Sequence, residues 1–249
     1  MLQEWEPNSL RPEILSIVVI TIAVSVLAVI YWHKQKTQSY KETPKGFVFL
    51  VQSYINYIRN ITVEILGPEN ESITPFFVFL FTYLLFSNLI GVFGFNNPTA
   101  SYTVTFSLAF VTFIGTFVIG FKYQKLSYLK QFFICVKIKD KKIPALPNPI
   151  EIAGAIAPLI SLSFRLWGNI FAGGLLISLW FYFTQTCCEK VPVLNTINLL
   201  GGLTVAPLHM YLDLLCGVVQ ALVFMLLTMV YWSLAKGEQV VAQSLQKHK

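Results

Sequence analysis

Charge is what this sequence has least of. Charged residues fill 12% of its 249 positions and hydrophobic residues 55%, and the mean hydropathy is +0.63. So few charges cannot coat a soluble globule of this length, and the composition is that of a polytopic membrane protein. Cysteine is scarce too. Cys135, Cys187, Cys188 and Cys216 have no zinc or redox spacing, and the adjacent pair reads as unpaired thiols rather than a bridge. No metal site is expected. His33, His209 and His248 are too few and too scattered for the His and carboxylate cluster of a membrane-embedded hydrolase. No phosphate-binding glycine loop or nucleotide motif occurs, so neither a catalytic site of its own nor a cofactor is expected. Internal repeats, low-complexity tracts and a soluble domain are absent as well. The net charge of +6 does not point to nucleic acid, because the basic residues lie in two loops and the C-terminal tail without interleaved aromatics.

What is present is a series of long apolar runs. The acidic start (Glu4, Glu6, Glu13) lacks a basic leader region, and the run 14–32 is long enough to cross a core of about 30 Å. The polar interval that follows contains 47–66, with Phe47, Leu50, Val51, Tyr54, Ile55 and Ile58 at helical spacing, as in an amphipathic helix lying at the interface. Runs 75–95 and 102–121 form a hairpin around the turn signal Asn96-Asn97-Pro98-Thr99-Ala100. After a lysine-rich surface connection come 150–184 and 195–233. The first of these would extend about 52 Å as a helix, too long to stand upright in a bilayer. The expected fold is all-α: about five transmembrane helices and one interfacial helix in a single membrane domain spanning 1–249, the last two helices forming a long, steeply tilted hairpin.

Fifteen of the eighteen Lys and Arg lie in 33–74, 122–149 and the tail after 233. Five crossings with the N-terminus outside and the C-terminus inside satisfy the positive-inside rule at every loop.

Against this background the polar residues inside the apolar runs stand out. Arg165 is the single charge between Ile152 and Phe183, and an arginine at bilayer depth costs roughly 2.5–3.5 kcal/mol on insertion scales. Glu151, Ser161, Arg165 and Asn169 fall in one helical sector, flanked by Gly168 and Ala172, which would let another helix approach closely. On the last helix His209, Asp213, Gly217 and Gln220 share one face at regular helical spacing. Each has a plain alternative: Asp213 neutralising Arg165, His209 packing, Gln220 as interhelical glue, Glu151 complementing a helix dipole. Together the two stripes are the pattern of an ion or proton pathway.

The segment 162–173, Leu-Ser-Phe-Arg-Leu-Trp-Gly-Asn-Ile-Phe-Ala-Gly, resembles the arginine-bearing helix of subunit a of the F-type (rotary) ATP synthase membrane sector, and 219–231 resembles the final helix of that family. Thr43-Pro44-Lys45-Gly46, Asn88-Leu89 and Pro98-Thr99-Ala100 match more weakly and in the same order. The resemblance implies that Arg165 is the essential arginine, Asn169 its neighbouring asparagine, Gln220 the last-helix glutamine and Glu151 a carboxylate on the cytoplasmic side. Gly174 departs from the family, which often has a glutamate there. Asp213 stands where a histidine or small residue is common, so the carboxylate reads as having moved to the neighbouring helix. Ser101 and Thr103 occupy positions where many members carry aspartate and asparagine.

The resemblance further implies a stator with two aqueous half-channels that load and unload protons on the carboxylates of a c-subunit ring, with Arg165 the barrier between them. Asp213, His209 and Gln220 would line the inlet and Glu151 the outlet. The implied partners are the c ring, the peripheral-stalk b subunits, the remainder of the ATP synthase and the lipid bilayer. The implied location is a bacterial plasma membrane, with the mitochondrial inner membrane as the alternative. A self-contained ion-coupled secondary transporter is the rival reading; it predicts internal repeats and short broken helices.

Overall fold

The computed structural model describes residues 12–37, 46–93, 95–125, 128, 133–138, 141–188 and 199–237. It is an all-α polytopic membrane protein. The helices are α1 (Pro12–Thr37), α2 (Phe47–Leu66), α3 (Thr74–Leu89), α4 (Tyr102–Gln124), α5 (Pro149–Cys188), α6 (Leu199–Tyr211) and α7 (Gly217–Lys236). Five helical segments are long and apolar enough to cross a membrane: Ile14–Lys36, Pro68–Leu89, Tyr102–Gln124, Pro149–Thr186 and Leu214–Lys236.

Local chemistry sets the helix ends. Pro12 opens α1, where its missing N–H costs nothing, and Lys34 and Lys36 complement the dipole in its last turn. The α1 span is apolar on all sides and mostly exposed, as befits a helix bathed in lipid. The amphipathic α2 buries Val48, Ile58, Thr62 and Leu66 and exposes Phe49, Leu50 and Tyr57. It stops at Gly67, whose φ of 82° suits glycine and whose N–H returns to the Val63 carbonyl at 2.9 Å. Asn148 caps α5, accepting the Ile150 N–H at 3.3 Å on its Oδ1, and Pro149 follows at the first helical position. At 40 residues α5 is about 60 Å long, roughly twice the hydrocarbon thickness.

Two features were not legible as such. The lysine-rich connection carries a two-stranded antiparallel ribbon, β1 (Phe133–Ile138) against β2 (Lys141–Pro147), with an irregularity between Ile134 and Cys135. The run read as one helix over 195–233 is helical throughout its described part, with α6 passing into α7 through a π-helical turn, Leu212–Cys216; residues 195–198 lie outside the described ones. A π turn holds one residue more than an α turn, so everything after it is rotated by about one residue, ~100°. His209, Asp213, Gly217 and Gln220 therefore do not form the uniform stripe their spacing implies.

The chain divides into two compact units, each assembled from three stretches. One comprises Gln52–Leu80, Tyr102–Leu166 and Leu222–Lys249. Its core holds Ile58, Phe77, Leu80, Ala109, Leu166, Phe224, Met225 and Met229. Trp232 stacks on Phe76 at 5.2 Å, leans on Phe77 at 5.1 Å and donates its indole N–H to the Thr112 carbonyl at 3.0 Å. Ser233 Oγ donates to the Ile65 carbonyl and Gln124 Nε2 to the Ala235 carbonyl, each at 3.0 Å. These bonds sew the end of α7 to α2 and α4. The other unit comprises Met1–Val51, Phe81–Ser101 and Trp167–Ala221, and it holds a cavity in which three carboxamides sit among apolar side chains.

Candidate functional site: a polar cavity and an unpaired arginine

The cavity has a volume of about 240 Å³. The second half of α5 supplies Asn169, Gly173 and Gly174, the π turn supplies Leu212 and Cys216, and Asn88 and Asn97 come from the end of α3 and the turn after it. Its polar groups are three carboxamides, and no charged side chain lines it among the described residues. Trp180 links α5 to α6, its Nε1–H donating to Thr204 Oγ1 at 2.9 Å. At Gly174 a Cβ would meet nothing within 4 Å, so the position that resemblance marks for a glutamate faces open space.

Asn88 is the most constrained of the three amides, being 3% exposed. Its Nδ2 donates to the Gly217 carbonyl at 3.0 Å, and its Oδ1 accepts from the Thr99 hydroxyl at 3.2 Å. The amide orientation follows from chemistry, because a carbonyl can only accept and so must meet the nitrogen. Gly217 gives this approach room: a Cβ on it would lie 3.0 Å from Asn88 Cβ, closer than an ordinary van der Waals contact.

Arg165 sits on the exposed face of α5, and among the described residues it makes no hydrogen bond or ion pair. Two residues before it, the buried Ser163 hydroxyl turns back to the Leu159 carbonyl at 2.9 Å rather than outward. The space around Gly168 is open within 4 Å, so no described helix uses the close approach that Gly168 permits. Glu151 is exposed in the first turn of α5. Gln220, in the first turn of α7, has its Nε2 buried without a partner among the described residues. The side chains of His209 and Asp213 lie outside those described; the backbone puts His209 in α6 and Asp213 in the π turn.

Of the residues singled out in the sequence, the cavity thus takes in Asn169, Gly174 and Gly217 and adds Asn88, which appeared there only as part of a weak motif. Asn97 and Cys216 were missed. Cys216 carries a free thiol, and nothing in its sequence context marks it as lining a cavity. The side chains of Cys135, Cys187 and Cys188 lie outside the described ones. No group of three His, Cys, Asp or Glu among the described residues could hold a metal ion.

Five apolar spans, an unpaired arginine on one of them and a cavity with three carboxamides among apolar side chains define a polytopic membrane protein that keeps a charge inside an apolar span. Residues 14–233 match the family model of the ATP synthase A chain. The chain is 41% identical to ATP synthase subunit a of Mycoplasmoides gallisepticum, over 92% of this chain and 80% of that one. It is 36% identical to the subunit a of Mycoplasma pneumoniae, over 97% and 86% of the two chains, and 33% identical to that of Mycoplasma genitalium, over 94% and 82%. The chain belongs to the ATP synthase A chain family.

Proposed function

We propose that this chain is the ion-conducting stator subunit of a rotary ATP synthase, working against a ring of c subunits in a bacterial cell membrane. The observation that carries the reading is the exposed, unpartnered Arg165 in the middle of an apolar span. A guanidinium at that depth is retained where an anion meets it. Since no described carboxylate does so, the anion is assigned to another chain: the ring carboxylates as they pass. The relatives' common name, ATP synthase subunit a, supports the same reading.

In this mechanism protons enter from outside through an aqueous half-channel that includes the amide-lined cavity and the Asp213 position. They load a ring carboxylate and, after most of a turn, leave through a second half-channel on the cytoplasmic side near Glu151. Arg165 favours the ionised form of the carboxylate in front of it, which lowers that group's proton affinity and makes it release its proton before passing. A guanidinium keeps its own proton, so it blocks a direct leak without becoming a carrier. Each proton delivers about 2.3 kcal/mol per 100 mV of membrane potential. Asn169 and Gln220 solvate the path, and His209 tunes the inlet. The chain itself has no catalytic site. Its N-terminus lies outside and its C-terminus in the cytoplasm, and peripheral-stalk b subunits hold it against the ring.

ATP-driven acidification of inverted membrane vesicles tests the reading. In an assembled complex Arg165→Ala abolishes pumping; undiminished pumping would make the arginine structural and end the stator reading.

A further inference from the structure

The proposed pathway does not explain why Asn88 is spent on a backbone carbonyl. Its carboxamide is buried at 3% exposure, its oxygen is held by Thr99 at 3.2 Å and its nitrogen is aimed at Gly217 O at 3.0 Å. Gly217 is the first α-helical residue after the π turn Leu212–Cys216. Its carbonyl lies just beyond the turn, so a bond to it fixes how the first α-helical residue is rotated. A π turn is one inserted residue, and nothing in a uniform helix fixes where the insertion sits. If it moves by one position, each residue it passes rotates by about 100°. A side-chain donor clamped at one end of the turn is therefore a register pin. The glycine there gives the clamp room, since a Cβ would lie 3.0 Å from Asn88 Cβ, tighter than an ordinary contact.

We infer that Asn88, oriented by Thr99, is a positioning residue that pins the register of the π turn and so determines what positions 212–216 present to the cavity. The two wall residues of the turn, Leu212 and Cys216, flank Asp213, so the same pin sets the orientation of the segment from which the proposed inlet carboxylate projects. This last step rests on the proton-pathway reading; the pinning of the turn does not.

Cys216 reports on the register directly, since it lines the cavity with a free thiol. The experiment uses membranes holding the assembled complex, in a background of Cys135→Ser, Cys187→Ser and Cys188→Ser. Two quantities are read: the rate of Cys216 labelling by N-ethylmaleimide, and the pH profile of ATP-driven proton pumping. Asn88→Leu keeps the bulk and removes the donor; the labelling rate changes by about fivefold or more, as expected when one buried hydrogen bond biases two registers. The midpoint of the pH profile moves with it. Thr99→Val changes both in the same direction and Thr99→Ser changes neither, so this pair carries the test if Asn88→Leu does not assemble. The double variant Asn88→Leu/Thr99→Val labels at the same rate as Asn88→Leu alone, because the two residues act through one clamp. An unchanged labelling rate overturns the inference, even where flux falls in proportion to assembly. A changed labelling rate with an unmoved pH profile leaves the pin standing and removes Asp213 from the proton path.

Discussion

The Lys236 ammonium donates to the carbonyl of Leu66 at 2.6 Å and lies over the Tyr123 ring at 4.6 Å, fully buried at the end of α7. Leu66 is the last residue of α2, so its carbonyl is one that the helix leaves without an internal partner. Asn70 Nδ2 donates to the same oxygen at 3.2 Å, and the Tyr123 hydroxyl holds Asn70 Oδ1 at 2.7 Å. A lysine at a helix C-terminus also answers its dipole. Lys236→Met should therefore lower the stability of the subunit by about 2 kcal/mol, the worth of a charge-assisted bond, and not by more, because Asn70 still satisfies the carbonyl. The thermal unfolding midpoint of the purified complex checks this; an unmoved midpoint would mean the ammonium only tolerates its burial.

Gly115 owes its identity to Trp232. A Cβ at Gly115 would overlap the indole and lie 2.8 Å from Cε2, while Phe76, Phe77 and the Thr112 carbonyl keep the ring from retreating. Gly115→Ala is expected to cost about 1–3 kcal/mol as overpacking. Quantifying the subunit in membranes should show a marked fall. The double variant Gly115→Ala/Trp232→Phe should recover part of it, because the smaller ring vacates the space; no recovery would place the defect elsewhere.

The helices were legible because hydropathy and helical period depend only on residues near one another in sequence. The five spans and the amphipathic α2 follow from those signals, and Arg165 announces itself as a lone charge in an apolar run. The ribbon was not legible, because lysines and prolines mask the alternation of β1 and β2. The π turn was invisible for a different reason. Leu212 to Cys216 reads as ordinary helix, and assuming a uniform 100° per residue puts His209 and Gln220 on one stripe that the extra residue breaks. The Asn88–Gly217 bond joins residues 129 apart in sequence, and only the folded chain brings them together.

Proton flux should depend on a carboxylate at the inlet. Asp213→Asn is expected to slow ATP-driven pumping by about a hundredfold or more, the low end of what a proton-transfer group contributes. Gly174→Glu introduces a side chain where a Cβ meets open space within 4 Å, so it should be accommodated without loss of assembly. Combined with Asp213→Asn it should restore part of the flux. Equal pumping by Asp213→Asn and the wild type would give Asp213 a packing role, and a double variant no faster than the single one would separate position 174 from the path.

Gln220 offers a case in which stability and function should part. Its Nε2 is buried and unpartnered among the described residues, and an unmet donor costs about 1–3 kcal/mol. A leucine of similar size removes that donor, so Gln220→Leu should leave the thermal midpoint of the subunit unchanged or raise it. If the amide were kept for packing, the same change would lower it. Pumping should nonetheless fall, because the amide is then held for water or for a group on the passing ring rather than for this chain. The fall should be smaller than for Arg165→Ala, since a neutral amide solvates a charge but does not bar protons from crossing. Measured side by side in inverted vesicles, a loss equal to that of Arg165→Ala would promote Gln220 to part of the barrier itself, and a lowered midpoint with normal pumping would return it to the role of interhelical glue.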